Sequence, residues 1–529
     1  MNRDAGRTER SRPQPLHVPR ASFDQQPKSN PRLAAHAPAV RRFLVLFIVA
    51  IWPALASGGA LWFADLGPYV RGGHLAVVTV QDALTTRPGA LAGREEGAPA
   101  AAGEPASGGG LAAGAGGSVS GARSIAYSLL AYLAGLLAPG FLALAVIQAG
   151  VLAGLVSILA ARQGGPLWLW SLAVLLGSAP LMASTASPDV WAGLTLLGVL
   201  ILFRHGASMA WSERGFALAA LAFGIAAHAS HILLAIALAG GCLLAAGRST
   251  RVQALLLLGG VGVGVAGVLA VSFIGFGEAS LAPKRCPIVL ARAIEDGPAL
   301  WHLEEHCDEY RYTVCEVFPD GFPTDAGNFL WGEGGVRERA TPAQMDAIRA
   351  EEGLILRRSL AEYPFHQARR AAANFAAQAV LVFDHSSLGR TAHYLGDGAA
   401  WPGGEPRRRA TRVTVLLQAL GLVGLPLVAG AGVILRIVPF GSAERRLVAL
   451  AVLGLLANAA ICGALSVPVW RYQARIVWVV PLVGAALLVR SRPFGAARSA
   501  ERDLSVATLH HQAVVRDEER DPLPAAHGA

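Results

Sequence analysis

Long runs of apolar residues dominate the chain, and short polar segments that often carry arginine separate them. Runs of this length are typical of helices that cross a lipid bilayer, and they are too long for the strands of a membrane barrel. The predicted fold is therefore an all-α multi-pass transmembrane bundle of about ten spans, with one extracytoplasmic, mainly helical domain. The predicted spans are residues 43–62, 140–160, 167–183, 190–203, two short spans within 216–243, 252–276, 413–438, 447–467 and 475–489.

Changes of composition along the chain predict how the spans are divided into regions. Both tails are polar and typical of disordered segments, and a Gly/Ala/Pro-rich loop follows the first span. Ser124–Leu137 is apolar but short, so it is either an interfacial helix or an extension of the next span. The predicted regions are a tail at 1–40, a first bundle part at 41–276 with an external loop at 63–123, a domain at 277–412, a second bundle part at 413–490 and a tail at 491–529.

The distribution of arginine predicts the orientation of the bundle. The formal net charge is +9, and the excess lies mainly in the N-terminal tail and in short loops between spans. Short loops rich in arginine face the cytoplasm, so both termini are predicted to be cytoplasmic. The basic residues are not interleaved with aromatic ones, so they indicate membrane topology, and no nucleic acid is expected as a partner.

The stretch Ser184–Phe203, STASPDVWAGLTLLGVLILF, joins an outer turn to an apolar helix. Ser187 or Asp189 can cap this helix, and Pro188 suits its first turn. Alternatively, Asp189 is a site carboxylate, because an ionisable group at membrane depth is often functional.

A second acidic residue follows the first span, in WFADLGPYVRGG. Asp65 is either an ordinary solvated loop residue or a second carboxylate of the same site. Tyr69 and Arg71 lie in the same short segment, where they can contribute to substrate binding. The predicted topology puts Asp65 and Asp189 at the same membrane surface, since span one ends there and span four begins there.

Two further outer segments carry candidate residues. Arg471, Tyr472 and Arg475 lie in VPVWRYQARIVWVVP, just before the last span. The arginines either snorkel to the interface or bind a phosphate group. His228 and His231 fall at the turn between two short spans, and they are either solvated or line a site; two histidines three apart share a helix face, so a metal is conceivable.

These segments resemble motifs of the GT-C superfamily of membrane glycosyltransferases, which take sugars from polyprenyl-phosphate carriers. Asp65 matches the acidic residue of the first external loop, and SPDVWAGL matches the Pro-Asp turn that opens the fourth span. WRYQARIVWVVP matches an Arg-Tyr motif followed by a Pro-containing last span. The resemblance implies a glycosyltransferase on the outer face of the bacterial inner (plasma) membrane, with the lipid bilayer and a polyprenyl-phosphate-linked sugar as its partners.

The resemblance also implies roles for the candidate residues. Asp65 is the expected catalytic base, because a carboxylate within hydrogen-bond reach can accept the proton of a hydroxyl. Asp189 is the second expected catalytic carboxylate, and it is also the expected ligand if a divalent cation takes part; no other cofactor is expected. The residues expected to bind substrate are Tyr69, Arg71, His228, His231, Arg471, Tyr472 and Arg475.

Two other classes of function stay open. A transporter or flippase for a lipid-linked glycan is favoured by Gly/Pro-rich spans such as Gly421–Gly432. No inner span carries a plain series of acidic or lysine residues, which disfavours that class. A non-catalytic assembly protein of envelope polysaccharide would instead use its external domain to bind a partner.

Five cysteines are present, and none forms a CxxC zinc pattern. Cys307 and Cys315 lie in the predicted extracytoplasmic domain, where an oxidising environment permits a disulfide. Two free thiols are the alternative. Cys286 can also be the partner of either cysteine, since pairing is not readable from sequence.

Overall fold

The fold is that of a computed structural model, which describes residues 31–61, 63, 65–85, 123–248, 250–276, 279–282, 285–383, 404–436, 438 and 440–490. Helices account for about 81% of this part of the chain, and it contains no β-strand. The predicted all-α fold is therefore confirmed. The predicted tail residues 1–30 and 491–529, and most of the low-complexity loop, lie outside the described residues.

The described helices fall into three groups along the chain. The first group is α1 (Pro31–Ala56), α2 (Leu66–Thr85), α3 (Ile125–Leu137), α4 (Leu142–Gln163), α5 (Leu167–Leu175), α6 (Ala179–Ser184), α7 (Val190–His205), α8 (Trp211–Ala227), α9 (Ala229–Ala245) and α10 (Arg251–Phe276). The second group, in the polar domain, is α11 (Ile288–Asp296), α12 (Pro298–Tyr310), α13 (Thr313–Val317), α14 (Ala326–Trp331), α15 (Val336–Arg339), α16 (Pro342–Glu362) and α17 (Pro364–Val380). The third group is α18 (Gly404–Ile434), α19 (Ser442–Leu465), α20 (Arg471–Val477) and α21 (Val479–Leu488).

Five described helices are long and apolar enough to cross a membrane, which makes this a membrane protein by helix length and composition. They cover Ala37–Ala56, Pro139–Gln163, Val190–Ser208, Arg251–Ile274 and Ser442–Leu465. Helix length thus supports five spans and not ten. The other five predicted spans correspond to shorter helices: residues 167–183 form α5 and α6, the two short spans within 216–243 are α8 and α9, the apolar part of 413–438 is Ala419–Ile434 of α18, and 475–489 is shared by α20 and α21.

Three boundaries at the start of the chain also differ from the prediction. Helix α1 begins at Pro31, inside the segment predicted to be a disordered tail. Residues 66–85, predicted as external loop, form α2, which packs extensively on α3. The predicted interfacial or extended segment is a separate helix, α3, because the left-handed backbone of Gly140 and Phe141, with φ of 64° and 55°, turns the chain before α4.

Helix α7 lies at the centre of the bundle. About 89% of its apolar window is buried inside the protein, more than in any of the other four long apolar helices. Gly193 lets the indole ring of Trp478 pack directly on this helix, since a Cβ atom at Gly193 would overlap the ring. The same indole donates a hydrogen bond from Nε1 to the carbonyl oxygen of Arg475, at 2.8 Å. The break between α20 and α21 is therefore packed against the central helix.

The polar domain has its own apolar core. Leu290, Leu303, Phe329, Ile348 and Ile355 are buried in it, and the last two lie on α16. Helix α17 connects the domain to the bundle by packing along α19.

The cysteines of the domain are also placed by the structure. Cys307 and Cys315 form a disulfide with a Cα–Cα distance of 5.8 Å, which is the predicted pairing. Cys286 is buried in the core and is not disulfide-bonded to either cysteine.

The close packing at Gly193 can be tested with two alanine substitutions on α7. Gly193→Ala is expected to lower the midpoint of thermal unfolding of the detergent-purified protein, because overpacking a core costs about 1–3 kcal/mol. Gly198→Ala is the matched control, since a Cβ there would meet its nearest neighbour at an ordinary 3.7 Å. We expect the control to leave the midpoint unchanged or raise it, as alanine favours a helix over glycine by about 1 kcal/mol. Equal midpoints for the two variants would contradict the packing.

Candidate functional site

The chain segments before Asp65 and Asp189 pair with each other at the end of the bundle where α1 ends and α7 begins. The backbone N–H of Leu61 donates to the carbonyl oxygen of Ser184 at 2.7 Å, and the N–H of Ala186 donates to that of Leu61 at 2.8 Å. These bonds form an isolated parallel bridge between the two segments. Because Asp65 and Asp189 each follow this bridge within four residues, the two loops are fixed side by side.

Buried polar side chains form hydrogen bonds to the backbone of the segment that precedes Asp189. The side-chain amide of Gln148 donates to the carbonyl oxygens of Ala183 and Thr185, at 3.0 and 2.8 Å. The Tyr127 hydroxyl in turn donates to the Gln148 side-chain oxygen at 3.1 Å. Backbone groups that have left a helix need such partners when they are buried, so this network specifies the shape of the turn.

Asp189 is buried, with 8% of the residue exposed. It stands at the N-cap position of α7, but its carboxylate accepts no capping hydrogen bond. The Asp189 carboxylate instead accepts from the hydroxyl of Ser187 at 2.5 Å and lies 3.5 Å from the guanidinium of Arg475. The capping role considered for the Asp189 side chain is therefore wrong. Each of the two carboxylate oxygens of Asp189 thus has a partner in the protein.

Arg475 is 1% exposed and lies inside the bundle. Its Nη2 donates to the side-chain oxygens of Asn458 and Ser230, at 3.0 and 3.1 Å, and lies 3.1 Å from the sulfur of Cys462. The snorkelling considered for this residue is wrong, because its charged end points into the protein. A buried cation needs an anion or several acceptors, and Arg475 has both.

Asp65 has two ion pairs and is not simply a solvated loop residue. Its carboxylate lies 2.9 Å from the guanidinium of Arg123 and 3.7 Å from that of Arg471, while 36% of its side chain is exposed. Arg471 also lies over the rings of Phe63 and Tyr472, with 4.3 and 5.1 Å to the ring centroids. Asp65 therefore combines a fixed position with access from outside the protein.

Two of the predicted substrate-binding residues near Asp65 differ in their surroundings. Tyr69 is buried, its ring meets that of Tyr127 edge-on at 5.0 Å, and Arg123 lies over it at 5.9 Å. Burial and the neighbouring Asp65 carboxylate raise the pKa of the Tyr69 phenol well above its usual range, so the phenol stays neutral. Arg71 is exposed, and no described hydrogen bond or ion pair joins it to these residues.

The two histidines at the start of α9 have different roles. Burial and nearby Arg475 lower the pKa of His228 to about 4, and its Nδ1 accepts from the backbone N–H of Ser230 at 3.2 Å. His228 is therefore neutral and carries its proton on Nε2. His231 is fully buried, and its Nδ1 lies 2.8 Å from the carbonyl oxygen of Gly224, so it mainly supports the packing of α8 against α9.

Together these residues form one charged cluster, consisting of Asp65, Asp189, Arg123, Arg471 and Arg475. Three guanidinium groups face two carboxylates, so the cluster has a surplus positive charge. Such a group of fixed cations can attract one further anion, and arginine suits phosphate because its planar fork forms two parallel hydrogen bonds.

An apolar cavity of about 200 Å³ begins beside this cluster. Its polar lining residues are Arg123, Ser124, His228 and Ser272, and the walls come mainly from α3, α8, α9 and α10. The apolar walls include Ile125, Ile225, Ile232, Gly267, Val268 and Val271. The arrangement suits a ligand that joins an anionic group to a hydrocarbon chain.

Sequence reasoning missed three members of this site. Arg123 follows the low-complexity loop, which hides its position relative to Asp65. Ser230 lies between the two histidines, where its contact with Arg475 cannot be read from spacing. Asn458 gave the one usable signal, because an amide within a long apolar helix needs a buried hydrogen-bond partner.

No protein-family model, curated protein or solved structure matches this chain, so the site is interpreted from its own residues.

The buried ion pair can be tested by removing its cation. Arg475→Gln is expected to lower the free energy of unfolding by about 3 kcal/mol, because it leaves the Asp189 carboxylate buried without its nearest positive charge. The matched control is Arg71→Gln, which removes an exposed guanidinium and is expected to change stability by less than about 0.5 kcal/mol. The double variant Asp189→Asn/Arg475→Gln should lose less than the sum of the two single variants, as measured by chemical unfolding in detergent. Additive losses would contradict the pairing.

Proposed function

We propose that this protein is a GT-C-like integral membrane glycosyltransferase that moves a sugar from a polyprenyl-phosphate donor to a hydroxyl acceptor. The observation that carries the proposal is the position of Asp65. This accessible carboxylate is paired with the guanidinium groups of Arg123 and Arg471, and Arg123 also lines the apolar cavity. A base, cations for a phosphate and a slot for a hydrocarbon chain are the parts that this reaction needs.

The chemistry assigns a role to each part of the charged cluster. The Asp65 carboxylate accepts the proton of the acceptor hydroxyl while the hydroxyl oxygen bonds to the anomeric carbon of the sugar. The bond from that carbon to the phosphate oxygen breaks, and the electron pair leaves with the polyprenyl phosphate. Arg123 and Arg471 stabilise the charge on the departing phosphate, because fixed cations cost no reorganisation when the charge develops.

Asp189 and Arg475 act differently in this proposal. Arg475 is almost fully enclosed, so it contributes positive potential and position rather than direct contact with a donor. Asp189 balances that charge and keeps the turn before α7 in place. A divalent cation bound by Asp189 would have to displace the Ser187 or Arg475 contact, and the proposal does not require one.

The proposed location is the outer face of a bacterial inner membrane, with both termini in the cytoplasm. The arginines of the short loops support this orientation. In the proposal the ten crossings are completed by short helices and broken helix pairs, such as α5 with α6 and α20 with α21, in addition to the five long helices.

The Gly/Pro-rich stretch that favoured a flippase does not form a broken helix. The stretch Gly421–Gly432 lies within the continuous helix α18, although Pro426 is part of it. Broken helices at membrane depth do occur, but they lie at Trp478 and between α5 and α6, next to the charged cluster. No described feature specifically favours the role of a non-catalytic assembly protein.

The proposed base is tested by Asp65→Asn, which removes one charge and keeps the side-chain size. We expect this variant to abolish the transfer of label from radiolabelled polyprenyl-phosphate sugars, in membranes that contain equal amounts of each variant. Because 36% of the Asp65 side chain is exposed, the substitution should change the stability of the protein little. Asp189→Asn should reduce transfer strongly, and Arg357→Gln, which changes an exposed arginine of α16, should leave it unchanged. Transfer by Asp65→Asn at the wild-type rate would rule out the proposed base.

The apolar cavity is tested with two glycines of α10. Gly267 lines the cavity and has open space around it, so Gly267→Phe is expected to fill the slot without a clash. Binding of long-chain polyprenyl phosphate to the purified protein should weaken at least tenfold, while a short-chain analogue should bind as before. Gly262→Phe is the matched control, because Gly262 also faces open space but does not line the cavity. Equal binding by both variants would show that the chain lies elsewhere.

A further inference from the structure

The polar domain contains a second group of chemistry-bearing side chains, separate from the charged cluster. His302 and His306 lie four residues apart on α12 and therefore share a face of that helix. Glu362, the last residue of α16, faces both of them. Its two carboxylate oxygens lie 2.7 Å from Nδ1 of His302 and 3.6 Å from Nε2 of His306. One nitrogen from each histidine and one carboxylate oxygen lie within 4.8 Å of one another.

In each histidine, the ring nitrogen that does not face Glu362 has a partner of its own. Nδ1 of His306 lies 3.0 Å from the carboxylate of Glu309, and Nε2 of His302 lies 3.1 Å from the hydroxyl of Tyr312. Histidines that bind metals in proteins almost always donate their other N–H to such a group, which fixes the tautomer and the ring orientation. Nδ1 of His302 and Nε2 of His306 are therefore oriented towards the Glu362 carboxylate.

The surroundings hold this geometry in place and leave one side open. Tyr312 is fixed by Arg358, whose Nη1 donates to its hydroxyl at 2.7 Å. The disulfide between Cys307 and Cys315 ties the end of α12 to α13, directly after Tyr312. His302 is fully buried, whereas the side chains of His306 and Glu362 are 23% and 34% exposed. An ion can therefore enter from the side of His306.

We propose that His302, His306 and Glu362 form a binding site for a divalent transition-metal ion of the zinc type. Two imidazole nitrogens and one carboxylate oxygen are a ligand set that Zn²⁺ takes in proteins when its fourth position is left open. Metal–ligand bonds of about 2.1 Å at tetrahedral angles place ligand atoms about 3.4 Å apart. The observed separations of 2.7 and 3.6 Å involve the two different oxygens of Glu362 and lie on either side of that value. The three ligand atoms lie within 4.8 Å of one another, so the side chains must move closer together to hold an ion.

This site does not depend on the proposed transferase activity. Its three residues come from helices of the polar domain, and none belongs to the charged cluster. A bound ion would link the end of α12 to the end of α16, immediately before α17 continues towards the bundle. Its role is to stabilise that junction or, through the open fourth position, to bind one further ligand.

The test measures zinc binding to the full-length protein in detergent, after treatment with a chelator and without reductant, so that the disulfide stays intact. The variants are His306→Gln and Glu362→Gln, and the matched control is His366→Gln. His366 is another histidine of the same domain, and it contacts the carbonyl oxygen of Asp296 at 3.2 Å and the ring of Trp301. Calorimetry gives the affinity, elemental analysis gives the stoichiometry, and the visible spectrum of the Co²⁺ form reports the nitrogen and oxygen ligands.

We expect the wild type and His366→Gln to bind one more equivalent of Zn²⁺ than either site variant, or to bind it at least tenfold more tightly. Zinc should also raise the unfolding midpoint of the wild type and not that of the site variants. Equal binding by all four proteins would overturn the proposal, and so would an equal loss in His366→Gln. If His306→Gln does not fold, Glu362→Gln decides the question, because its side chain is partly exposed and keeps its size.

Discussion

Burying a guanidinium group costs free energy unless hydrogen bonds and an opposite charge replace the water it loses. Arg475 meets this requirement only because three other parts of the chain converge on it. Asp189 at the start of α7 supplies the charge, Ser230 comes from α9, and Asn458 and Cys462 lie one turn apart on α19. The arrangement of these helices at one end of the bundle therefore depends on a single buried cation.

The polar domain contributes to the same end of the bundle. The side-chain amide of Gln378 on α17 exchanges two hydrogen bonds with the backbone of Val469, at 2.9 and 3.0 Å. Val469 lies just before Arg471, so the domain helps to fix the segment that supplies two arginines to the cluster. Asp296 holds α17 to the rest of the domain by accepting from Arg370 and Asn374. The accessible carboxylate of Asp65 is thus positioned by elements from every region of the described chain.

Much of this arrangement could be predicted, and the limits have physical causes. Alternating spans return the chain to the same side, so the pattern of apolar runs predicted Asp65, Asp189, Arg471 and Arg475 at one membrane surface. Which of them are neighbours there depends on how the helices pack. The runs did not reveal where a helix breaks, because Leu176 and Trp478 are as apolar as their neighbours; that is why span counting exceeded the number of long helices. Whether Arg475 reaches water or points inward depends on partners far away in sequence, which hydropathy does not contain.

The separation of these partners along the chain has a consequence for how the protein folds during its synthesis. Asp189 and Arg475 are 286 residues apart, and the two carboxylates are synthesised long before Arg471 and Arg475. A growing chain therefore exposes its acids while their main counterions are still untranslated, and Asp65 has only Arg123, 58 residues downstream, to pair with early. Contacts between residues that are so far apart in sequence form late in folding. The order of translation therefore makes α20, which carries Arg471 and Arg475, the last element to join the charged cluster.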